Sequence, residues 1–177
     1  SKTELHKFLE KGIIEKTAHC EGEFISRIFT RPKKNGSHRV ILNLKKLNEH
    51  IKYRHFKMET FQTAVTSVTQ GCWCAVLDLV DAYFTLSIAA SHRKYLRFEF
   101  EGELYQFTCL PNGLASGPRV FTKLMKPVYA HLRAKGYILV GYIDDIYIQA
   151  NSPEQLQVTI QDIIDLLTSL GDRKSVV

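Results

Sequence analysis

Two adjacent carboxylates, Asp144 and Asp145, stand between apolar stretches, Ile138-Leu-Val140 before them and Ile146-Tyr-Ile148 after. Ionised groups in such surroundings must be paired, hydrated or bound to a metal. A turn between two strands would let both reach water, so an ordinary Asp-Asp turn is the plain alternative. A second acidic segment runs from Val76 to Phe84: an apolar stretch delivers Asp78 at its end, and Asp81 follows three residues later. Carboxylates carried by two neighbouring strands are oxygen donors suited to a hard divalent cation. Asp81 reads first as a cap or backbone contributor to the next turn, with metal ligation as its other reading.

The elements that must carry these residues can be read from hydrophobic period and turn chemistry. Cys72 to Leu79 is a continuous apolar run, the pattern of a buried strand with a charge at its C-terminal end. Tyr137–Tyr142 and Ile146–Ala150 form a hairpin through Asp144-Asp145. Upstream, Ser1 to about Lys11 reads as a helix ended by Gly12. Strands 24–30 and 38–42 form a hairpin whose tip, Arg31-Pro-Lys-Lys-Asn-Gly36, is basic and turn-forming. A short helix is expected over 44–50, and one over 59–68, opened by Glu59 and lined by Phe61, Val65 and Val68. Residues 95–100 and 104–108 form a hairpin around Glu101-Gly102, and helices are expected over 118–133 and 153–170. Hairpins mixed with packing helices make an α+β fold.

The charge distribution separates two regions. Residues 1–57 hold 14 Lys and Arg against 6 Asp and Glu, whereas residues 58–177 hold 10 against 12. A basic front half (net +8) and a mildly acidic back half (net −2) suit a phosphate-rich partner held beside a separate carboxylate site. Solvated surface lysines are the bland alternative. No apolar stretch approaches the ~20 residues of a membrane helix and no signal pattern is present, so a soluble intracellular protein is expected. Cys20, Cys72, Cys74 and Cys109 form no C-x-x-C pair and read as reduced thiols without a metal role.

Four segments in order carry a resemblance to reverse transcriptases. Leu77-Asp-Leu-Val-Asp-Ala-Tyr-Phe84 resembles the first palm motif, Leu110-Pro-Asn-Gly-Leu-Ala-Ser-Gly-Pro-Arg-Val-Phe121 the second, and Tyr142-Ile-Asp-Asp145 the third. Arg31 to Asn48 resembles the basic fingers hairpin and the element after it. The resemblance covers about residues 5–170. It implies a right-hand polymerase palm, an antiparallel sheet backed by helices, with a basic fingers subdomain. Fingers are expected over 1–57, palm over 58–170, and 95–115 partly returns to the fingers. The implied activity is RNA-directed DNA polymerisation in retroelement replication, with template–primer (RNA or DNA) and deoxynucleoside triphosphates as partners and no membrane. The implied cofactor is a pair of Mg²⁺ ions, with Mn²⁺ as a substitute. Two such ions about 4 Å apart activate the attacking 3′-hydroxyl and stabilise the leaving pyrophosphate.

Residue roles carry over one at a time. Asp78 and Asp144 match the metal-bridging carboxylates, and Asp145 a more peripheral ligand. Tyr83 matches an aromatic gate that blocks a ribose 2′-hydroxyl, with a packed core tyrosine as the alternative. Asp81 and Ala82 fall where backbone N–H groups meet the triphosphate. Arg39 matches the fingers arginine that grips it, a role suited to a permanently charged fork. Lys33 or Lys34 supplies a second phosphate contact or is a solvated turn lysine. Asn112 and Gly113 lie near the sugar, and Tyr142 and Ile143 at the primer end.

The motifs also depart from the retroviral pattern. Asn112 replaces a longer amide, which puts that sugar contact in doubt. The wording from Gly113 to Leu124 looks closer to tyrosine-recombinase retrotransposons of the DIRS type. The thumb, ribonuclease H and other polyprotein domains of the family are expected outside this chain. Asp172 to Val177 matches the in-frame translation of a common sequencing adapter, so 171–177 is expected to be a non-native tail. The competing readings are an inactive relic that only binds nucleic acid, an RNA-directed RNA polymerase, which Tyr83 opposes, and a metal-dependent nuclease.

Overall fold

A computed structural model describes residues 2–171 and 175–176. In chain order the elements are α1 (Lys2–Glu10), β1 (Ile14–Lys16), β2 (Ile28–Pro32), β3 (His38–Leu42), α2 (Lys45–Asn48), α3 (Phe61–Ser67) and β4 (Trp73–Asp78). Then follow a 3₁₀ turn (Ala82–Thr85), β5 (Leu86–Ser87), a second 3₁₀ turn (Ala90–Tyr95), β6 (Arg97–Phe100) and β7 (Glu103–Phe107). The chain closes with α4 (Gly117–Ala134), β8 (Ile138–Tyr142), β9 (Asp145–Ala150), α5 (Pro153–Gly171) and β10 (Ser175–Val176). Most expected elements are present within one to three residues, and β1, β5, β10 and the 3₁₀ turns are additions. The 24–30 strand is displaced: pairing starts at Ile28, because Phe24 and Ser26 spend their N–H groups on the Lys94 and Arg97 carbonyls.

The chain divides into two compact units. Of the described residues, the first holds 2–53, 83–117 and 175–176; the second holds 54–82 and 118–171. Within the first unit, β1, β7 and β6 form an antiparallel sheet and β2–β3 a separate hairpin. Phe8 of α1 meets Phe84 and Phe107 edge-on, while Phe98 stacks on Tyr105 at 5.5 Å. The buried Arg97 guanidinium donates to Glu23 Oε2 (2.6 Å), the Ala18 carbonyl, Thr17 and Gln106, the pairing a buried charge requires. Ser175–Val176 pair in parallel with Leu86–Ser87. The rest of the expected non-native tail, residues 172–174 and 177, lies outside the described residues.

The second unit is a three-stranded antiparallel sheet in the order β4-β9-β8, backed by helices. Ile146 and Ile148 of β9, Leu139 of β8, Leu132 of α4 and Ile163 of α5 are buried in its core. Pro127 lies inside α4 and withholds one ladder hydrogen bond without ending the helix. Two expectations are corrected here. β4 is not a buried strand: it is an edge strand, with Trp73 and Val76 exposed by 52% and 65%, and only Ala75 and Leu77 turned partly inward. Phe61, Val65 and Val68 do not line a packed face of α3. They are exposed, because the two-turn helix buries Ala64 instead and packs on β8 by that side.

Candidate active site

Strand alternation puts Cys74, Val76 and Asp78 of β4 on one face of the second unit's sheet. Their register partners on β9 are Gln149, Tyr147 and Asp145. Asp78 is therefore directly opposite Asp145, which in turn pairs with Tyr142 across the β8–β9 hairpin. The Leu79 N–H donates to the Asp144 carbonyl at 2.8 Å, tying the hairpin turn to the end of β4. All three carboxylates thus converge on one end of the sheet through backbone geometry, two from the turn and one from the adjoining strand.

Tyr142 and Asp145 pair directly, so Ile143 and Asp144 form a two-residue loop. Ile143 holds φ +52° there. The first central position of such a loop is ordinarily glycine, and a β-branched residue at positive φ is a steric outlier. Strain of this kind costs about 1–3 kcal/mol and persists only where surrounding contacts enforce it. Asp81 is a second outlier, at φ +53° immediately ahead of the Ala82–Thr85 turn.

Electrostatics mark the same spot. Partial desolvation first, then the charges of Asp144 and Asp78, hold the Asp145 carboxyl above its ordinary range. Among the described residues, no three His, Cys, Asp or Glu side chains are gathered closely enough to hold a metal ion. The donor set nonetheless fits one: it is all oxygen, comes from adjacent strands, and carries mutual repulsion that a cation would relieve.

Behind the hairpin lies a contact set that the sequence reading did not single out. Glu59, expected to open α3, lies two residues ahead of it, and its Oε2 accepts the Gly141 N–H at 2.9 Å. Its Oε1 accepts Arg133 Nη2 at 2.5 Å, and the same nitrogen donates to the Leu139 carbonyl at 2.9 Å. Gly141 also abuts the buried Tyr129 ring, which a Cβ at that position would overlap. No signal in the linear sequence joins residues this far apart. Farther along the sheet, Cys74 Sγ lies 3.5 Å from Cys72 Sγ and 2.9 Å from the Tyr147 hydroxyl.

Apart from Ala82, which opens the 3₁₀ turn from the second unit's side of the division, the remaining candidates belong to the first unit. Arg31, Lys33, Lys34, Asn35 and Arg39 line an open depression of about 570 Å³ at the hairpin tip. Arg31 and Arg39 are register partners across β2–β3, so two fixed positive charges face one another. Such a pair is unfavourable alone and favourable around an anion. Lys33 accepts the Gly36 N–H and donates to the Ser37 carbonyl through its backbone, leaving its ammonium and that of Lys34 exposed. Tyr83 is buried, with its ring against Gly117, where a Cβ would come within 3.3 Å of Cε2. Asn112 is exposed, and Gly113 at φ +94° is held by Asn48, whose Nδ2 donates to the Gly113 carbonyl (2.9 Å). Asn48 Oδ1 also accepts the Ala115 N–H (2.8 Å), a clamp on the second motif that sequence reading had not assigned.

Comparison with known proteins bears on the fold and the family. Residues 31–174 match the family model described as reverse transcriptase (RNA-dependent DNA polymerase). The Gag-Pro-Pol polyprotein of squirrel monkey retrovirus is 30% identical over 157 residues, 81% of this chain and 8% of that protein. The transposon Tf2-3 polyprotein of Schizosaccharomyces pombe is 23% identical over 93% of this chain and 12% of its own length. The chain therefore spans about a tenth of these relatives. Among solved structures, the foamy viral protease-reverse transcriptase in complex with double-stranded DNA superposes with a TM-score of 0.79. It is 20% identical and covers 94% of this chain and 34% of its own. The native prototype foamy virus enzyme gives 0.77 at 19% identity, over 93% of this chain and 21% of its own. An α+β fold with antiparallel sheets backed by helices, three carboxylates at one sheet end and a family match across most of its length together establish that this chain belongs to the reverse transcriptase family.

Proposed function

We propose that the chain is the fingers-and-palm part of an RNA-directed DNA polymerase, with Asp78, Asp144 and Asp145 as its metal-binding carboxylates. The observation that carries this reading is the Asp78–Asp145 register pair, with Asp144 joined to it through the Leu79 N–H. Two bound Mg²⁺ ions, or Mn²⁺ in their place, would supply the acidification of a primer 3′-hydroxyl and the charge neutralisation that phosphoryl transfer needs. The chain's own groups do the rest. Asp78 and Asp144 serve as the main ligands, and Asp145, whose carboxyl is pushed upward, gains most from a nearby cation. Arg39, with Lys33 or Lys34, binds the triphosphate of the incoming deoxynucleotide in the basic depression. Asp81 and Ala82 offer backbone contacts to it, and Tyr83 with Asn112 and Gly113 bounds the sugar. Tyr142 and Ile143 support the primer end.

In this reading the fingers are 1–57, the palm is 58–170 with 95–115 partly returning to the fingers, and 171–177 is a non-native tail. The element is of the retrotransposon kind, and the DIRS-type wording from Gly113 to Leu124 supports a kinship with tyrosine-recombinase elements. Template–primer binding draws on further polyprotein domains, and the protein works inside the cell. Among the described residues, no helix is long and apolar enough to cross a membrane.

The test is primer extension on an RNA template with Mg²⁺, comparing the parent polypeptide that carries this chain with its Asp144→Asn variant. Extension by the first and none by the second supports the assignment. Inactivity of both, with template still bound, replaces it with an inactive nucleic-acid binder.

A further inference from the structure

β8 is the outer strand of the sheet that carries the carboxylates, so one of its edges has no strand partner among the described residues. Leu139 and Gly141 are two residues apart, and in a strand their polar groups point to the same edge. Both of those groups are taken by a single ion pair. The Gly141 N–H goes to Glu59 Oε2, the Leu139 carbonyl to Arg133 Nη2, and Glu59 Oε1 joins Arg133 at 2.5 Å. The pair therefore imitates a neighbouring strand, donor and acceptor in the right order, one residue short of Tyr142. The guanidinium also lies over the Tyr129 ring at 5.9 Å, and that ring fills the space left by the missing Gly141 side chain. Burial, then the Glu59 charge, push the Tyr129 hydroxyl up to about 12.

We propose that Glu59, acting with Arg133, is a positioning residue for the carboxylate turn: it fixes the open edge of β8 so that the strained Ile143–Asp144 loop holds its ligands in place. The inference rests on the polymerase reading for its catalytic consequence, but not for its structural one. A residue at positive φ relaxes unless both flanking strands are restrained. On the β4 side the restraint is the Leu79–Asp144 hydrogen bond. On the outer side it is Glu59 and Arg133, drawn from the segment before α3 and from the end of α4. A carboxylate accepting from a backbone N–H and a guanidinium together is stronger than a neutral amide doing so. A displacement of about 1 Å in a reacting constellation can cost roughly a hundredfold in rate.

The experiment uses the parent polypeptide with Glu59→Gln, Arg133→Lys and the double variant. Hydrogen exchange of the 138–145 amides is measured alongside steady-state primer extension. Glu59→Gln is expected to speed exchange of the hairpin amides roughly tenfold to a hundredfold, the loss of one charge-assisted hydrogen bond. It should lower kcat about tenfold or more while KM for deoxynucleotide stays within about twofold. Arg133→Lys keeps the charge but loses the planar guanidinium that lies over Tyr129, so it should reproduce part of both effects, and the double variant should be no worse than Glu59→Gln. Unchanged hairpin exchange in Glu59→Gln overturns the proposal. So does acceleration spread evenly over the whole sheet with kcat restored on cooling, which marks a mere stabilising cap. Should the unmutated parent prove inactive, the polymerase reading falls while the exchange comparison still decides the role of Glu59.

Discussion

Neutralising one member of the carboxylate cluster should stabilise the metal-free palm and at the same time abolish its response to divalent cations. Asp78 and Asp145 face each other across β4 and β9. Partial desolvation and the charges of Asp144 and Asp78 keep the Asp145 carboxyl above its ordinary range. Like charges opposed across a sheet cost about 0.2–1 kcal/mol. Both groups are exposed to water, which screens them, so the lower half of that range applies to Asp145→Asn. The sign with pH follows from the raised carboxyl. The folded state binds this proton more tightly than the unfolded state does, so stability falls as pH rises from the ordinary aspartate value through the raised one. Below that window the penalty is absent, and above it the penalty is complete. Urea denaturation followed by the fluorescence of Trp73, the chain's one tryptophan and a residue of β4, reads the unit concerned. In EDTA at neutral pH the variant should exceed the unmutated protein by about 0.2–0.5 kcal/mol, and the gap should close on acidification. Mg²⁺ at ten times its dissociation constant should then stabilise the unmutated protein by about 1.4 kcal/mol and leave the variant almost unmoved. A variant less stable than its parent in EDTA, or equal stabilisation of both by Mg²⁺, would refute the reasoning.

Three further outcomes are expected. Gly141→Ala forces a methyl group into the Tyr129 ring and should cost about 1–3 kcal/mol in the same denaturation assay; wild-type stability would mean that the ring lies elsewhere. Arg39→Ala, at the basic depression, should raise KM for deoxynucleotide more than it weakens template binding in filter-binding titrations; a change in template affinity alone would move Arg39 to the nucleic-acid track. Tyr83→Ala should admit ribonucleotides in competition assays, and unchanged sugar discrimination would make Tyr83, buried against Gly117, a packing residue only.

The candidate chemistry-bearing residues could be picked out of the linear sequence because each lies in a short local pattern. Asp144-Asp145 between two apolar runs reads as a hairpin turn, and Asp78 at the end of a third reads as a ligand on a neighbouring strand. Pairing of β8 with β9 needs only local chain reversal, so the hairpin formed almost at its expected bounds. Burial was harder to read. An apolar run such as Trp73 to Leu77 signals a strand but not its place in the sheet, and pairing on one side alone leaves β4 at the edge with Val76 in water. The stripe Phe61, Val65 and Val68 has helical spacing, yet the face that packs is chosen by what lies beneath the helix, and there Ala64 fits against β8.

By itself, then, the sequence determined the family and the α+β class and marked out three candidate carboxylates and the basic hairpin tip, because adjacent residues encode strands, turns and charge. Tertiary structure alone decided that Asp78 stands opposite Asp145, that Asn48 clamps the Gly113 loop, and that Glu59 and Arg133 close the edge of β8. Those pairings join residues from 65 to 82 positions apart. Register and long-range hydrogen bonding are settled only when whole elements pack, since a charged side chain finds its partner through the geometry of the surrounding core and not through its neighbours in the chain.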